Sequence, residues 1–256
     1  MYTDERRRII LATVAVNGSV SVTDLARITH CSEITIRRDL RVLVDLNLVR
    51  RQRGGASALR GAMDEPTYLD KSRVSHSEKA QIAREAATLV KDGDAIMMCA
   101  GTTTEQLAVH LVRRRLVVVT NSTLVAEALA NARDVEVFML GGLLRGSIHA
   151  VVGGEAERAL ASLRFETVFM SGNGLTAEHG LSTPNLHVAS IDRAAVRVAN
   201  RVVVLADRTK IGQSSLVQTV PTDRIDLLVT DAGAPVDQVE SLRGAGVEVR
   251  LAAQRS

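Results

Sequence analysis

A set of short apolar runs constrains this chain more than any other feature. They are "AIMMC" (95–99), "LVVVT" (116–120), "VEVFML" (135–140), "TVFMS" (167–171), "RVVVLA" (201–206), "IDLLVT" (225–230) and "VEVRLA" (247–252). Each is strand-sized and rich in aliphatic residues, and the intervals between them read as helix or loop. Strands separated by helical crossovers are joined in parallel, and a parallel sheet is buried on both faces. The pattern therefore predicts an α/β domain with a mostly parallel open sheet. Ligands of such sheets settle beyond the carboxyl ends of the strands, so the residues just after each run carry the chemistry.

Those residues are small, hydroxylated or cationic. Gly101, Thr102, Thr103 and Thr104 follow the first run and open a helix, whose first-turn N–H groups suit an anion. Asn121 and Ser122 follow the second run, and Gly141, Gly142 and Arg145 the third. Gly172, Asn173 and Gly174 follow the fourth, as a backbone-lined cradle would, and Asp207, Arg208, Thr209 and Lys210 follow the fifth. Taken singly, GTTT reads equally as a capped helix start, Asn121-Ser122 as an N-cap and GNG as a tight turn. Their convergence on one sheet edge with Lys210 points to a small anionic ligand. No G-x-G-x-x-G follows the first strand, which disfavours a dinucleotide.

The first sixty residues differ in kind. A helix over 4–16 ends at Asn17-Gly18. Ser21 caps a second helix with Asp24 three residues on, and Ser32 caps a third over 33–46 after a turn at Thr29-His30-Cys31. Two helices joined by so short a turn form a helix-turn-helix. "LVRRQRGGASAL" alternates around Gly54-Gly55 as a β-hairpin wing. On the third helix Ile36, Leu40 and Leu43 recur at core spacing, which leaves Thr35, Arg37, Arg38 and Arg41 outward. A helix of this width fits the major groove, where arginine bonds guanine edges and phosphates. Arg50, Arg51 and Arg53 on the wing follow the flanking backbone, and the caps Ser21 and Ser32 present N–H groups to phosphate. The alternative is a solvated basic face paired with Glu33, Asp39 and Asp45. Arg6, Arg7 and Arg8 read equally as surface charge or backbone contact.

Charge supports the division. The net charge is +3, but eleven arginines against six acids leave +5 in residues 1–60, and 21 basic against 23 acidic residues leave −2 beyond them. A basic head on a near-neutral body meets a polyanion through the head alone. With no Trp, two Tyr and three Phe, there is little for single-stranded bases to stack on, so duplex DNA is favoured. Cys31 and Cys99 have no disulfide or metal-ligand spacing, which predicts no metal and a reducing cytoplasm. "IILATVAV" is too short and too close to Asp4 and Glu5 for a signal peptide, and no run approaches the ~20 residues of a membrane span. The expected layout is a winged helix-turn-helix over 1–58, a linker over 59–76 with Tyr68 and Leu69 docking on a neighbour, and a sensor domain over 77–256.

In order and spacing, "ITIRRDL", "VRRQRGGA", "GDAIMMCAGTTTEQLA", "VVVTNS", "MLGG", "SGNGL", "ADRTKIG" and "LLVTD" resemble the DeoR family of bacterial transcription regulators over nearly the whole chain. The resemblance implies a winged-helix DNA reader joined to a sensor domain with the fold of sugar-phosphate isomerases, responding to a phosphorylated sugar-type metabolite. It implies that Thr102, Thr103, Thr104, Asn121, Ser122, Gly172 and Lys210 line the effector pocket. Ala100, preceded by Cys99, stands where the family usually has Asp before the Gly-Thr-Thr run. Near "NLHVASIDRA" Val188 and Asp192 lie where an acid and a lysine are expected, and Cys99 reads as a buried strand residue. The expected protein is a repressor that binds an operator as a dimer or tetramer, needs no cofactor and has no catalytic residues. The rival is a sugar-phosphate isomerase with an accessory head, for which Asp207 and Glu105 are the available bases.

Overall fold

The computed structural model describes residues 3–17, 19–46, 48–52, 54–58 and 65–253. The chain divides into two compact units, Met1–Pro66 and Thr67–Ser256.

The first unit runs α1 (Thr3–Asn17), β1 (Ser19–Ser21), α2 (Val22–Thr29), α3 (Glu33–Asp45), β2 (Val49–Gln52) and β3 (Gly55–Ala58). Ile10, Val14, Leu25, Ile36, Leu40 and Leu43 are buried together with Val49 and Ala56. Each large aliphatic side chain so buried contributes roughly 1.5–3 kcal/mol. Both caps form: Ser21 Oγ accepts from Asp24 N at 3.0 Å, and Ser32 Oγ from Thr35 N at 3.3 Å. His30 turns the chain with φ 53°, and Cys31 N donates to Ala26 O at 3.0 Å. The wing has an extra strand, because β1 pairs with β3 as β3 pairs with β2, both antiparallel. Gly54, at φ 82°, makes the wing turn, and a side chain at Gly55 would collide with Val20 O of β1.

Asp39 sits on the buried face of α3, and its carboxylate takes Arg6 Nε at 2.5 Å and Arg7 Nε at 3.1 Å. Two of the α1 arginines are therefore structural. They fasten α1 to α3, which replaces the choice between surface charge and backbone contact for Arg6 and Arg7. The same pairing removes Asp39 as a partner for the outward arginines of α3.

The second unit begins with α4 (Tyr68–Arg73), α5 (His76–Ala87), β4 (Ala95–Met98), α6 (Thr102–Leu111), β5 (Leu116–Thr120), α7 (Thr123–Leu129) and β6 (Val135–Met139). A hairpin follows, β7 (Leu143–Arg145) with β8 (Ala150–Val152), then α8 (Gly154–Ala161) and β9 (Phe165–Met170). Next come β10 (Gly174–Thr176), β11 (Gly180–Thr183), α9 (Leu186–Val198), β12 (Ala199–Leu205), β13 (Val217–Val220), β14 (Leu227–Asp231), α10 (Val236–Gly244) and β15 (Glu248–Ala252). The main sheet is parallel throughout, in the order β15-β14-β12-β9-β4-β5-β6. All the apolar runs of the sequence lie in it. Ile82, Leu107 and Val125 of α5, α6 and α7 pack with Ile96 and Val118 on one face. Leu160 and Ile191 of α8 and α9 pack with Met97 and Val168 on the other.

The strand order reverses between β4 and β9: β5 and β6 lie to one side of β4, and β12, β14 and β15 lie beyond β9. A crevice opens at such a switch point, at the carboxyl ends of the two central strands. The segment read as a linker is partly ordered into the second unit. α4 starts with a capping box between Thr67 and Asp70, and residues 59–64 lie outside the described residues.

Candidate nucleic-acid interface and ligand crevice

On α3 the buried set is Ile36, Asp39, Leu40 and Leu43. One helical face is thereby spent on the core, and Arg37, Arg38 and Arg41 are exposed on the rest, with Thr35 half-buried. Arg37 reaches Glu33 Oε2 at 3.2 Å. Glu33 also accepts from Thr23 Oγ1 at 2.8 Å, and Thr23 and Arg37 together hold its carboxyl below the usual range. Among the described residues Arg38 and Arg41 make no ion pair. On the wing Arg50 and Arg51 are exposed opposite Ser57 and Ala56, while Arg53 lies outside the described residues. Ser21 and Ser32 spend their hydroxyls on capping. The sequence pattern did not single out Ile34, which is 80 % exposed on the first turn of α3. An apolar side chain there matches a thymine methyl, and its break from core spacing was the available signal.

At the switch point, Thr102, Thr103 and Thr104 form the first turn of α6, and all three are buried. Their amides precede the first intrahelical bond, from Glu105 N to Gly101 O at 3.0 Å, and so are free of helical acceptors. Thr104 Oγ1 donates to Cys99 O at 2.7 Å, with Gly101 O at 2.8 Å, locking the loop. A Cβ at Gly101 would strike Ser171 Oγ, so that hydroxyl would have to turn aside, which shows how closely the loops after β4 and β9 meet.

Asn121 Oδ1 accepts from Ala100 N at 2.9 Å, and its Nδ2 donates to Val151 O at 3.1 Å. This one side chain ties β4, β5 and β8 together. Ser122 Oγ caps α7 through Val125 N at 3.2 Å. Gly142, at φ 143°, approaches Val152 O so closely that a Cβ would lie 2.8 Å from it. Arg145 is half-buried opposite Ala150, which is itself bridged to Ser122.

The "GNG" turn is closely packed. A Cβ at Gly172 would lie 2.7 Å from Leu181 Cδ1, and one at Gly174 would strike Gln213 O. These glycines admit β11 and the loop before β13, and Asn173 N donates to Ser182 O at 2.9 Å. Close packing at both positions leaves no room for a side chain.

Lys210 closes a turn, its N–H donating to Asp207 O at 2.9 Å, and the residue is half-buried. Near it is a residue that the sequence pattern did not single out. Lys79 is buried on α5, with Nζ donating to Val74 O at 2.7 Å and to Lys71 O. Burial, with the nearby Lys210 charge adding to it and Asp207 opposing it, pushes the Lys79 ammonium down to about 8. Its signal was present: Lys79, Ile82, Ala83 and Ala86 share the apolar stripe of α5, and a lysine there is out of place.

Both candidate bases are held by hydrogen bonds. Asp207 is buried and accepts from Thr209 N at 2.9 Å and from Thr209 Oγ1 at 2.5 Å. Glu105 accepts from Tyr68 OH at 3.1 Å, and its carboxyl is raised mainly by burial. Tyr68 also stacks edge-on against His149 at 5.2 Å and donates its N–H to Ser147 O at 2.7 Å. Cys99 is buried beside Asp192, and burial followed by that carboxylate raises the thiol well above its usual range. Among the described residues no cluster of His, Cys, Asp and Glu is disposed to hold a metal, and no helix is long and apolar enough to cross a membrane.

Comparison with known proteins agrees with this geometry. Residues 6–60 match the model of the DeoR-like helix-turn-helix domain, and residues 74–232 that of the DeoR C terminal sensor domain. The HTH-type transcriptional regulator GlpR of Haloferax volcanii is 36% identical over 97% of this chain and 98% of its own. GolR of Listeria innocua, an HTH-type transcriptional regulator, is 30% identical over 98% of this chain and 100% of its own. The HTH-type transcriptional repressor GlcR of Bacillus subtilis is 30% identical over 90% of this chain and 89% of its own. Among solved structures, ribose 5-phosphate isomerase A of Methanocaldococcus jannaschii superposes with a TM-score of 0.40 at 17% identity, over 53% of this chain and 54% of that one. A likeness of that size carries no argument about chemistry.

Proposed function

This chain belongs to the DeoR family of transcription regulators, and from that premise we propose that it represses carbohydrate-metabolism genes and leaves its operator when a phosphorylated sugar-type metabolite binds. The observation that carries the reading is α3, where a complete core face is paired with Arg38 and Arg41 left unneutralised. In this reading Arg37, Arg38, Arg41, Thr35 and Ile34 enter the major groove. Arg51 and Arg53 of the wing follow the backbone, with the remaining first-turn amides that follow Ser21 and Ser32 beside phosphate. One helix reads few base pairs, so two or more heads act together in a homo-oligomer on half-sites a helical turn or a multiple apart.

In the second unit the ligand's phosphate meets the first-turn amides of Thr102, Thr103 and Thr104 and the ammonium of Lys210. Asn121, Ser122, Gly142, Gly172, Asn173 and Gly174 shape the loops, with Arg145 at the far side. To turn DNA binding off, the metabolite must favour the incompetent state by ~10⁴-fold, or ~5.5 kcal/mol. The isomerase reading has less behind it: Asp207 accepts hydrogen bonds from Thr209 and Glu105 from Tyr68, and the full-length relatives are transcription regulators. A thermal-shift screen of phosphorylated sugars and polyols, followed by operator release in a gel shift, tests the proposal. A raised midpoint with release supports it. Turnover of pentose or hexose phosphates overturns it.

A further inference from the structure

α4 is the first element after the boundary between the two units, so the covalent path from crevice to head passes through it. Packing does little to secure it. None of its six residues is buried, and Leu69 is 62 % exposed. A helix so short has little stability of its own, so its place depends on polar contacts at its two ends.

The first end is held by Tyr68. Its N–H donates to Ser147 O at 2.7 Å, its hydroxyl donates to Glu105 Oε1 at 3.1 Å, and its ring meets that of His149 edge-on. Glu105 directly follows the Thr102–Thr104 turn on α6, and Thr123 N, at the start of α7, donates to His149 O at 3.1 Å. The last end is held by Lys79, whose ammonium donates to Lys71 O and Val74 O and feels the charges of Lys210 and Asp207. Both clasps are thus built on elements that frame the crevice.

Backbone strain marks the same two places. Among the described residues only His30, Ser75 and His149 carry a side chain at positive φ. Ser75, at 52°, follows α4, and His149, at 53°, is the ring partner of Tyr68. Such conformations persist only where their surroundings hold them, and they gather at switch segments. An anion at the Thr102–Thr104 amides and Lys210 brings negative charge beside both clasps. It repels the Glu105 carboxylate and draws the Lys79 ammonium away from the α4 carbonyls. We propose that α4 is a strap through which the crevice governs the head: fastened, it holds the head for DNA, and an anionic ligand loosens it. The inference rests on reading the protein as a DNA-binding regulator released by an anion.

Coupling between two sites is reciprocal, so a variant that loosens the strap must lose DNA affinity and gain ligand affinity together. Tyr68→Ala in the full chain is compared with wild type and with Leu69→Ala. Anisotropy reads binding to duplex DNA from upstream of the protein's own gene, and calorimetry reads binding of inorganic phosphate against chloride at matched ionic strength. Tyr68→Ala is expected to bind DNA roughly tenfold more weakly and phosphate more tightly by a similar factor, with Leu69→Ala at the wild-type values. Any other pattern in a folded Tyr68→Ala overturns the strap, including the loss of both affinities that damage to the fold would give. If Tyr68→Ala does not fold, hydrogen exchange of the wild type decides. The α4 amides should exchange faster in phosphate than in chloride, and unchanged exchange overturns the strap. A wild type that binds no DNA or no phosphate overturns the reading beneath it instead.

Discussion

The recognition helix of the first unit and the loops at the switch point of the second use their polar residues in opposite ways. On α3 the groups expected to make contact, Arg38 and Arg41, point outward without partners among the described residues. The polar residue that does pair deeply, Asp39, faces inward to Arg6 and Arg7. At the switch point most of the conspicuous side chains are already committed: Asn121 to Ala100 and Val151, Thr104 to Cys99, and Ser122 to Val125. A motif on a rigid helix can therefore encode the contact directly. The loop motif encodes the shape of a crevice, and the proposed ligand contact is left to backbone amides and to Lys210.

Asp39→Ala should have the largest effect. It strands the buried Arg6 guanidinium, which costs about 3–5 kcal/mol, and denaturant unfolding of the first unit should show the loss. A stability near wild type would mean that the pair on α1 is not what holds α3 in place. Next come the contrasting substitutions at the switch point. Asn121→Ala frees buried backbone groups and should cost about 1–3 kcal/mol of stability. Lys210→Ala should stay within about 0.5 kcal/mol of wild type, leave operator binding intact and blunt induction. If Lys210→Ala destabilises as much as Asn121→Ala, the division between shaping and contact fails.

On the head, Arg38→Ala should lose about 1–3 kcal/mol of specific binding where the contact to a base is bidentate, with unfolding unchanged. Normal gel-shift affinity would remove Arg38 from the interface. A last effect concerns pH. Lys79 titrates at about 8 when folded, against an ordinary 10.5. In that window the unfolded chain binds more protons, so stability rises with pH from about 8 to 10.5. Below it the cost of the buried charge is felt in full. Lys79→Met should lack this rise in thermal midpoint, and an identical slope in both proteins would contradict the assignment.

Much of this was legible in the sequence, for reasons specific to each element. The strands of the main sheet are unbroken, mostly apolar runs, and the caps at Ser21 and Ser32 are local signals three residues long. β1 and the β10–β11–β13 sheet were not legible, because three- and four-residue strands are too short to show a period. α4 reads as linker although its Thr67–Asp70 capping box is visible in "TYLD", since six residues carry too little periodicity. The Arg6–Asp39 pair spans 33 positions, and no local pattern predicts a partner at that distance. Gly172 and Gly174 were conspicuous, but only the fold shows that they make room for β11 and the loop before β13. Lys79 was legible in principle, as a charge on an apolar stripe.

The most direct measurement is fluorescence anisotropy of the full-length protein on duplex DNA from upstream of its own gene, across a salt series. The wild type is compared with the triple variant Arg37→Ala/Arg38→Ala/Arg41→Ala. Tight wild-type binding that weakens steeply with salt is expected. The variant should bind more weakly, with a slope shallower by about one for each phosphate that it no longer neutralises. Equal affinity and equal slope in the two proteins, or no wild-type binding at low salt, would contradict the account.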